Sequence, residues 1–186
     1  MKEYFLAYGA TQALRDYWLT VQEKLRQQNI PLSRVPDPHS IIVPPRPLYA
    51  AQMLRARIKL LRLERERVLH PLYVEVGPVA SFPVPLTEHE AVLYVPFRGK
   101  GVQEEYERIV KQLGLGASGS GRKAPPHLVL AKIPVQCLSR AVETALCVPA
   151  PDYQRLHTFV WYRRDTDQSW ETAASIELDT SMLVQV

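Results

Sequence analysis

The chain has 186 residues, of which 46% are hydrophobic and 23% charged, and this balance excludes a disordered or a fibrous protein. No apolar stretch approaches the ~20 residues of a membrane-spanning helix, and the first residues lack the apolar core of a signal peptide, so we expect a cytoplasmic protein. The net charge of +4 and the pI near 9.1 suit a polyanionic partner without requiring one.

The first part of the chain predicts a strand, a helix and a second strand. Residues 4–8 form a short apolar run that ends at Gly9, which indicates a buried strand. From Thr11 to about Gln28 apolar residues recur at three- and four-residue steps, as in an amphipathic helix. Residues 34–43 carry the next strand. The proline-rich stretch 44–47 predicts a stiff loop, since proline has no N–H to give to a sheet.

A second helix is predicted from about Leu48 to Val68. We expect its buried stripe to consist of apolar residues at helical spacing, namely Ala51, Leu54, Ile58, Leu61 and Val68. Much of the positive charge of the chain lies on the same segment but off that stripe. We interpret these cations as the solvated face of the helix, and they are Arg55, Arg57, Lys59, Arg62, Arg65 and Arg67.

The rest of the chain alternates in the same way. The predicted elements are strands at 72–76, 79–84 and 91–97, a helix at 102–113, a strand that begins at His127, a helix at about 135–146, and strands at 155–163, 171–178 and 183–186. Residues 114–121 are rich in glycine and serine but precede no helix, so we interpret them as a loop and not as a phosphate-binding one.

Two cysteines, Cys137 and Cys147, are flanked by apolar residues and not by other metal ligands. We expect them to be buried thiols. The sequence has no zinc spacing and no dinucleotide fingerprint, so we expect neither a metal site nor a cofactor.

Two strands share one pattern, because each begins with a Pro-His step into aliphatic residues. Side chains alternate along a strand, so His39 and Ile41 share one face, and His127 and Val129 share one face. If the strands lie side by side, two imidazoles converge on one groove, with pKa values near neutrality that suit proton transfer. The alternative is that each histidine only makes a backbone hydrogen bond at a strand entrance. Repetition of the pattern favours the pair.

The order of the predicted elements looks like one unit used twice. We therefore expect a single bilobal α+β domain over residues 1–186, with two mainly antiparallel sheets that face a central cleft and helices outside. A pseudo-twofold relation between the lobes would bring His39 and His127 to the shared cleft.

The sequence resembles the 2H phosphoesterase superfamily, in particular the branch of RNA 2′,3′-cyclic phosphodiesterases and 2′-5′ RNA ligases. Residues 126–132, Pro-His-Leu-Val-Leu-Ala-Lys, are similar to the second family motif, Pro-His-hydrophobic-Thr-Leu-Ala-Arg. Residues 38–42 stand where the first His-x-Thr motif would fall, and residues 159–163 look like the family's penultimate strand. The resemblance implies the duplicated fold and a nucleotide or a phosphate-bearing RNA end as partner. We expect a monomer.

The resemblance also implies a mechanism. His39 and His127 would act as general acid and general base, in an order that the sequence does not assign. The family's motif threonines donate hydrogen bonds to phosphate, but here Ile41 and Val129 stand at those positions and cannot donate. Losing one such donor typically costs about 10²–10³ in turnover. The expected substrate-binding residues are Lys132, at the position of the motif arginine, and Tyr8, Tyr162 and Arg163, lining the groove.

Three functions remain open at this point. The first is a divergent phosphoesterase, a hydrolase acting on a cyclic phosphodiester or another phosphate ester of a nucleotide or RNA end. The second is a catalytically weak or inactive member that binds RNA or a nucleotide in the same groove. The third is an interaction module whose histidines are structural. None of them implies reading a DNA sequence or inserting into a membrane.

Overall fold

The computed structural model describes residues 2–33, 37–84, 89–114, 125–164 and 170–178. Its elements in chain order are β1 (Glu3–Gly9), α1 (Gln12–Gln27), β2 (His39–Pro47), α2 (Ala50–Arg65), β3 (Leu72–Val76), β4 (Ala80–Pro83), β5 (Glu90–Arg98), α3 (Val102–Leu113), β6 (His127–Pro134), a 3₁₀ turn (Val135–Cys137), α4 (Leu138–Leu146), β7 (Tyr153–Leu156), β8 (Thr158–Arg164) and β9 (Glu171–Glu177). Within these ranges no helix is long and apolar enough to cross a membrane.

The strands form two antiparallel sheets, and each sheet defines a lobe. The first lobe has the strand order β2-β1-β8-β9. In the second lobe β5 pairs with β6 on one side and with both β3 and β4 on the other, and β7 lies beyond β3. The registers of β3 and β4 on β5 differ by a single residue, so the two act as one interrupted strand. Each lobe therefore carries its histidine strand on one side of a central strand.

The helices join the two lobes. Strands β2 and β6 contact each other across the lobes. Helix α1, which follows β1 of the first lobe, packs on β6 of the second, while α3, which follows β5 of the second lobe, packs on β2 of the first. The Gln22 side chain of α1 is buried and donates a hydrogen bond to the Leu130 carbonyl of β6 over 3.0 Å. Each histidine strand is thus supported by a helix that follows the other lobe's central strand.

Helix α1 shows why the local sequence folds as it does. Thr11 caps its first turn, because the side-chain oxygen accepts a hydrogen bond from the Leu14 amide over 3.3 Å. The buried side chains recur at helical spacing, and they are Leu14, Tyr17, Val21, Gln22 and Leu25. The prediction of this helix from periodicity is confirmed.

Both histidine strands carry a bulge at the same place. In β2 the pairing with β1 passes from Ile41 to Val43, and in β6 the pairing with β5 passes from Val129 to Ala131. The extra residue lies three positions after the histidine in both strands. This shared irregularity supports the interpretation of the chain as one unit used twice.

The prediction of a loop at residues 44–47 is wrong, because β2 continues to Pro47. Among the described strands, β2 pairs only with β1 and so forms the edge of its sheet. An edge strand tolerates proline, since the side without a partner needs no N–H.

The predicted buried stripe of the second helix is also wrong. Leu54 and Ile58 are each 57% exposed and Leu61 is 43% exposed, whereas Ala56 and Leu60 are buried. The helix has apolar residues on two opposite faces, and periodicity alone does not tell which of them the rest of the chain covers.

The expectation of buried thiols is wrong as well, since Cys147 is exposed and Cys137 is half-buried, and neither is in a disulfide. Residues 34–36 of a predicted strand, most of the Gly/Ser-rich segment, and the predicted strand 183–186 lie outside the described residues.

Candidate active site

Each histidine of the pair is held by the carbonyl group two residues before it. His39 Nδ1 lies 2.5 Å from the Asp37 carbonyl oxygen, and His127 Nδ1 lies 2.7 Å from the Pro125 carbonyl oxygen. A carbonyl oxygen only accepts, so Nδ1 carries the proton in both rings. The proline between each pair of residues favours an extended residue before it, which sets the direction of that carbonyl. In the neutral ring Nε2 is therefore unprotonated and able to accept a proton.

Both rings also lie between two aromatic side chains. The His39 ring is 4.9 Å from the ring of Phe5 in β1 and 5.0 Å from that of Tyr162 in β8. The His127 ring is 5.1 Å from Tyr94 in β5 and 5.7 Å from Phe82 in β4, in both cases edge to face. In each lobe one aromatic residue comes from the central strand and the other from the strand beyond it.

The surroundings lower the pKa of both histidines below the ordinary value of 6.5. For His39 the main cause is burial, opposed by the Asp37 carbonyl and carboxylate, while the proximity of His127 lowers the pKa further. For His127 the cause is again burial, opposed by the hydrogen bond to Pro125. The pair is therefore close enough to interact electrostatically, and both rings are mainly neutral at pH 7.

The two positions that the resemblance assigns to hydroxyl groups form an apolar surface beside the histidines. Ile41 is half-buried and packs against a cluster of Phe5, Ala7, Val160 and Tyr162. Val129 is half-buried and pairs with Tyr94 of β5, so the two share one face of the sheet. Neither side chain can donate a hydrogen bond to a phosphate oxygen.

Ser40 does not supply the missing hydroxyl to the groove. It is 1% exposed and lies on the opposite face of β2, where its Oγ accepts a hydrogen bond of 2.8 Å from the Tyr106 hydroxyl of α3. The bulge in β2 comes after Ile41 and leaves the direction of Ser40 unchanged.

The structure brings two of the four predicted binding residues to the histidine faces. Tyr162 lies beside His39, stacks on Phe5 at 4.5 Å, and has its pKa raised to about 12 by burial. Lys132 is half-buried and lies on the same sheet face as His127, since their partners in β5 are Val92 and Pro96. Four residues of strand separate those partners, so Lys132 stands about 13 Å along the face from His127.

The other two predicted residues lie on the opposite face of the first sheet. Tyr8 is 1% exposed and packs among Tyr106 and Phe159, and burial raises the pKa of its hydroxyl well above the ordinary value. Arg163 pairs with Tyr4 of β1 and forms an ion pair of 2.6 Å with Glu171 of β9. Neither residue is brought to the histidine rings.

Sequence reasoning missed the aromatic neighbours Phe5, Phe82 and Tyr94, and also Arg15. The charge of Arg15 in α1 lowers the pKa of Tyr162, so this cation is within electrostatic range of the site. Alternation places Phe5 and Tyr94 on defined strand faces, but no local signal indicates which strands pair. In the described part of the chain no three His, Cys, Asp or Glu side chains are grouped so as to hold a metal ion.

Comparison with known proteins places this geometry in a known fold. No family model and no curated relative matches the sequence. Among solved structures, LigT of E. coli in complex with 3′-AMP matches with a TM-score of 0.64 and 10% identity, over 95% of this chain and 98% of that one. TT0787 of Thermus thermophilus matches at 0.61 and 13% identity, over 95% and 97%. A structure described as a phosphoesterase matches at 0.57 and 11% identity, over 95% and 98%.

At identities of 10% to 13%, these structural matches establish the architecture alone. The matches span nearly the whole of each chain, so they include both lobes and both histidine strands. The α+β fold with two mainly antiparallel sheets is confirmed. The chain therefore has the bilobal fold of the 2H phosphoesterases.

Proposed function

We propose that this protein is a divergent phosphoesterase that acts on a cyclic phosphodiester, or another phosphate ester, of a nucleotide or RNA end. The observation that carries the proposal is the matched histidine pair. Both rings donate a hydrogen bond from Nδ1 to a carbonyl oxygen, so Nε2 is the nitrogen that can exchange a proton with a ligand. The two rings also influence each other electrostatically. LigT, which shares the fold, has been crystallised with 3′-AMP, with ATP and with phosphate.

The two rings support a division of the acid and base roles. His39 is 6% exposed, and burial together with the neighbouring His127 holds it neutral, which suits a general base that activates water. His127 is only half-buried, so water can solvate its protonated form, which suits a general acid that protonates the leaving ribose oxygen. Lys132 and Arg15 would supply positive charge toward the phosphate.

Hydrolysis of a 2′,3′-cyclic nucleotide and of a 2′-5′-linked oligonucleotide tests the proposal. We expect turnover by the wild type and a loss of about 10²–10⁴ in His39→Ala and in His127→Ala. His157→Ala is the matched control, because His157 makes the same Nδ1 contact, 3.1 Å to the Arg155 carbonyl, but is not one of the pair. Wild-type turnover no greater than that of the two site variants would rule out the enzyme.

A second candidate is a protein that binds the same ligands without turnover. It is favoured by the apolar side chains of Ile41 and Val129, which leave the phosphate without either expected donor. This candidate predicts binding of a nucleotide or RNA end that weakens as salt rises and as Lys132 is replaced by methionine. Efficient hydrolysis of the bound ligand would eliminate it.

A further inference from the structure

Helix α2 carries an apolar strip that the fold leaves exposed. Leu54 and Ile58 are each 57% exposed and Leu61 is 43% exposed, and together they form the strip. On the other side of the helix Ala56 and Leu60 are buried. One face of the helix thus packs on the rest of the protein, and a second set of aliphatic side chains is exposed to solvent.

The spacing of the strip fits a helix as its occupant. Steps of four and three residues place Leu54, Ile58 and Leu61 in line over about 10 Å of the helix axis. The same spacing puts isoleucine at an a position and leucine at the d positions of a heptad, the arrangement that accepts side chains of a second helix. Ala51 continues the pattern toward the start of α2 as a further a position.

Positive charge lies on both sides of the strip. Arg55 and Arg62 flank it at the e positions, Arg57 flanks it at a g position, and all three are exposed. Arg62 forms an ion pair of 2.6 Å with Glu66 of the same helix, so the excess positive charge beside the strip rests mainly on Arg55 and Arg57. The other flanking g position is Glu64, which is half-buried. Side chains at e and g decide which partner a helix accepts.

This charge pattern decides between the possible occupants. A second copy of the chain would place Arg62 opposite Arg57 in a parallel pair and opposite Arg55 in an antiparallel pair, which is repulsive in both cases. A membrane surface favours a wide apolar face with aromatic residues, whereas this strip is narrow and wholly aliphatic. A nucleic acid would use the arginines but leave the aliphatic side chains uncovered. We propose that the strip docks an acidic amphipathic helix of a partner protein, with glutamate or aspartate beside its apolar seam.

A labelled helical peptide is the probe for this surface. It carries isoleucine and leucine at a and d and glutamate at e and g, so that its own charges keep it monomeric, and a matched peptide carries lysine at e and g. We expect the glutamate peptide to bind the wild type and the lysine peptide to bind at least about tenfold more weakly, as judged by fluorescence anisotropy. Leu54→Ser with Ile58→Ser should weaken binding of the glutamate peptide about tenfold or more.

Two further variants make the test specific. Leu146→Ser removes an aliphatic side chain of the same 57% exposure from α4 and should leave binding unchanged. Arg55→Glu with Arg62→Glu should reverse the preference, so that the lysine peptide binds more tightly than the glutamate peptide. Hydrolysis or nucleotide binding at the histidine groove should be the same in all these variants, which separates this proposal from the function proposed above.

The proposal is overturned if the glutamate peptide does not bind, or if the serine pair and Leu146→Ser have equal effects. A preference that the charge reversal leaves unchanged also overturns it. Phosphatidylserine vesicles that bind the wild type and lose binding in the serine pair, with no peptide binding, would identify a membrane surface instead. Dimerisation in sedimentation equilibrium that the serine pair abolishes would identify a second copy.

Discussion

The two lobes hold the same histidine in different surroundings. In both, the ring lies at the start of a strand with a bulge three residues later, donates from Nδ1 to a carbonyl oxygen, and contacts two aromatic rings. His39, however, is 6% exposed and tilts at 35° and 41° to Phe5 and Tyr162, whereas His127 is half-buried and meets Tyr94 and Phe82 at 67° and 84°.

The difference separates what the backbone determines from what the side chains determine. The repeated strand geometry sets the direction of each ring, and the neighbouring residues set how readily each ring takes a proton. Further along the two strands the lobes differ again, because Ser40 is buried and hydrogen-bonded where the other strand has Leu128 in the apolar core. Duplication therefore gives two similar positions that can take different roles.

The largest expected effect tests the division of roles between the lobes. The test substrate is a phosphate ester of p-nitrophenol, whose leaving group needs no proton. On a substrate with a ribose leaving group, we expect His127→Ala to lose about 10²–10⁴ in rate, and on the p-nitrophenol ester it should regain most of that rate. His39→Ala should stay impaired on both substrates, because water still has to be activated. Steady-state rates on the two substrates measure this. If the rate on the p-nitrophenol ester recovers in His39→Ala alone, His39 is the general acid and His127 the general base.

The next effect concerns the missing donors. Ile41→Thr and Val129→Thr each restore a hydroxyl beside one histidine, and each should raise turnover by up to about 10²–10³ if the phosphate lies between the lobes. The lobe with the larger gain is the one that contacts the non-bridging oxygens more closely. Ile176→Thr, at another half-buried strand position of the first sheet, is the control. Unchanged rates in both site variants would mean that the groove suits a different ligand.

A smaller effect tests the polar contact that only the first lobe has. Tyr106→Phe leaves the buried Ser40 hydroxyl without its donor, which should lower the free energy of unfolding by about 1–3 kcal/mol. Adding Ser40→Ala should recover part of this loss, because no hydroxyl then remains to be satisfied. Urea unfolding of the two single variants and the double variant measures the coupling. If the losses of unfolding free energy in the two single variants add up to the loss in the double variant, the hydrogen bond contributes nothing to stability.

The smallest effect is a pH dependence of stability. Burial lowers the pKa of both histidines below 6.5, so the unfolded chain binds protons that the folded chain excludes. Their contribution is complete above about pH 6.5 and is lost as the pH falls through the lowered values. His39→Gln should flatten this fall more than His127→Gln, since His39 is the more buried. Urea unfolding at pH 7.5 and pH 5.5 measures this dependence. An equal loss of unfolding free energy between the two pH values in the wild type and in His39→Gln would contradict it.

Much of the fold follows from local pattern, because hydrophobic spacing and turn residues act within one element. The helix from Val102 to Leu113 has the bounds that its periodicity predicts. The histidine pair is likewise predicted from local pattern, since two Pro-His steps repeat along the chain. Periodicity failed at α2, where two opposite faces are apolar and only packing against the rest of the molecule decides which is buried.

The rest of the site depends on contacts between distant strands. Tyr8 and Tyr162 are both aromatic residues in predicted strands, yet one faces the core beside Tyr106 and the other faces His39. Phe82 and Tyr94 meet the His127 ring only because β4 and β6 pair with opposite sides of β5. No signal within a single strand identifies such partners.

The position of β1 has a consequence for how the chain folds. This strand is near the start of the chain but lies in the interior of its sheet, between β2 and a partner, β8, that begins only at Thr158. During synthesis the first lobe cannot close until β8 has left the ribosome. Such distant pairing raises contact order, which slows folding. The apolar residues of β1, among them Phe5 and Leu6, therefore stay without their partners in β8 until that strand has been synthesised.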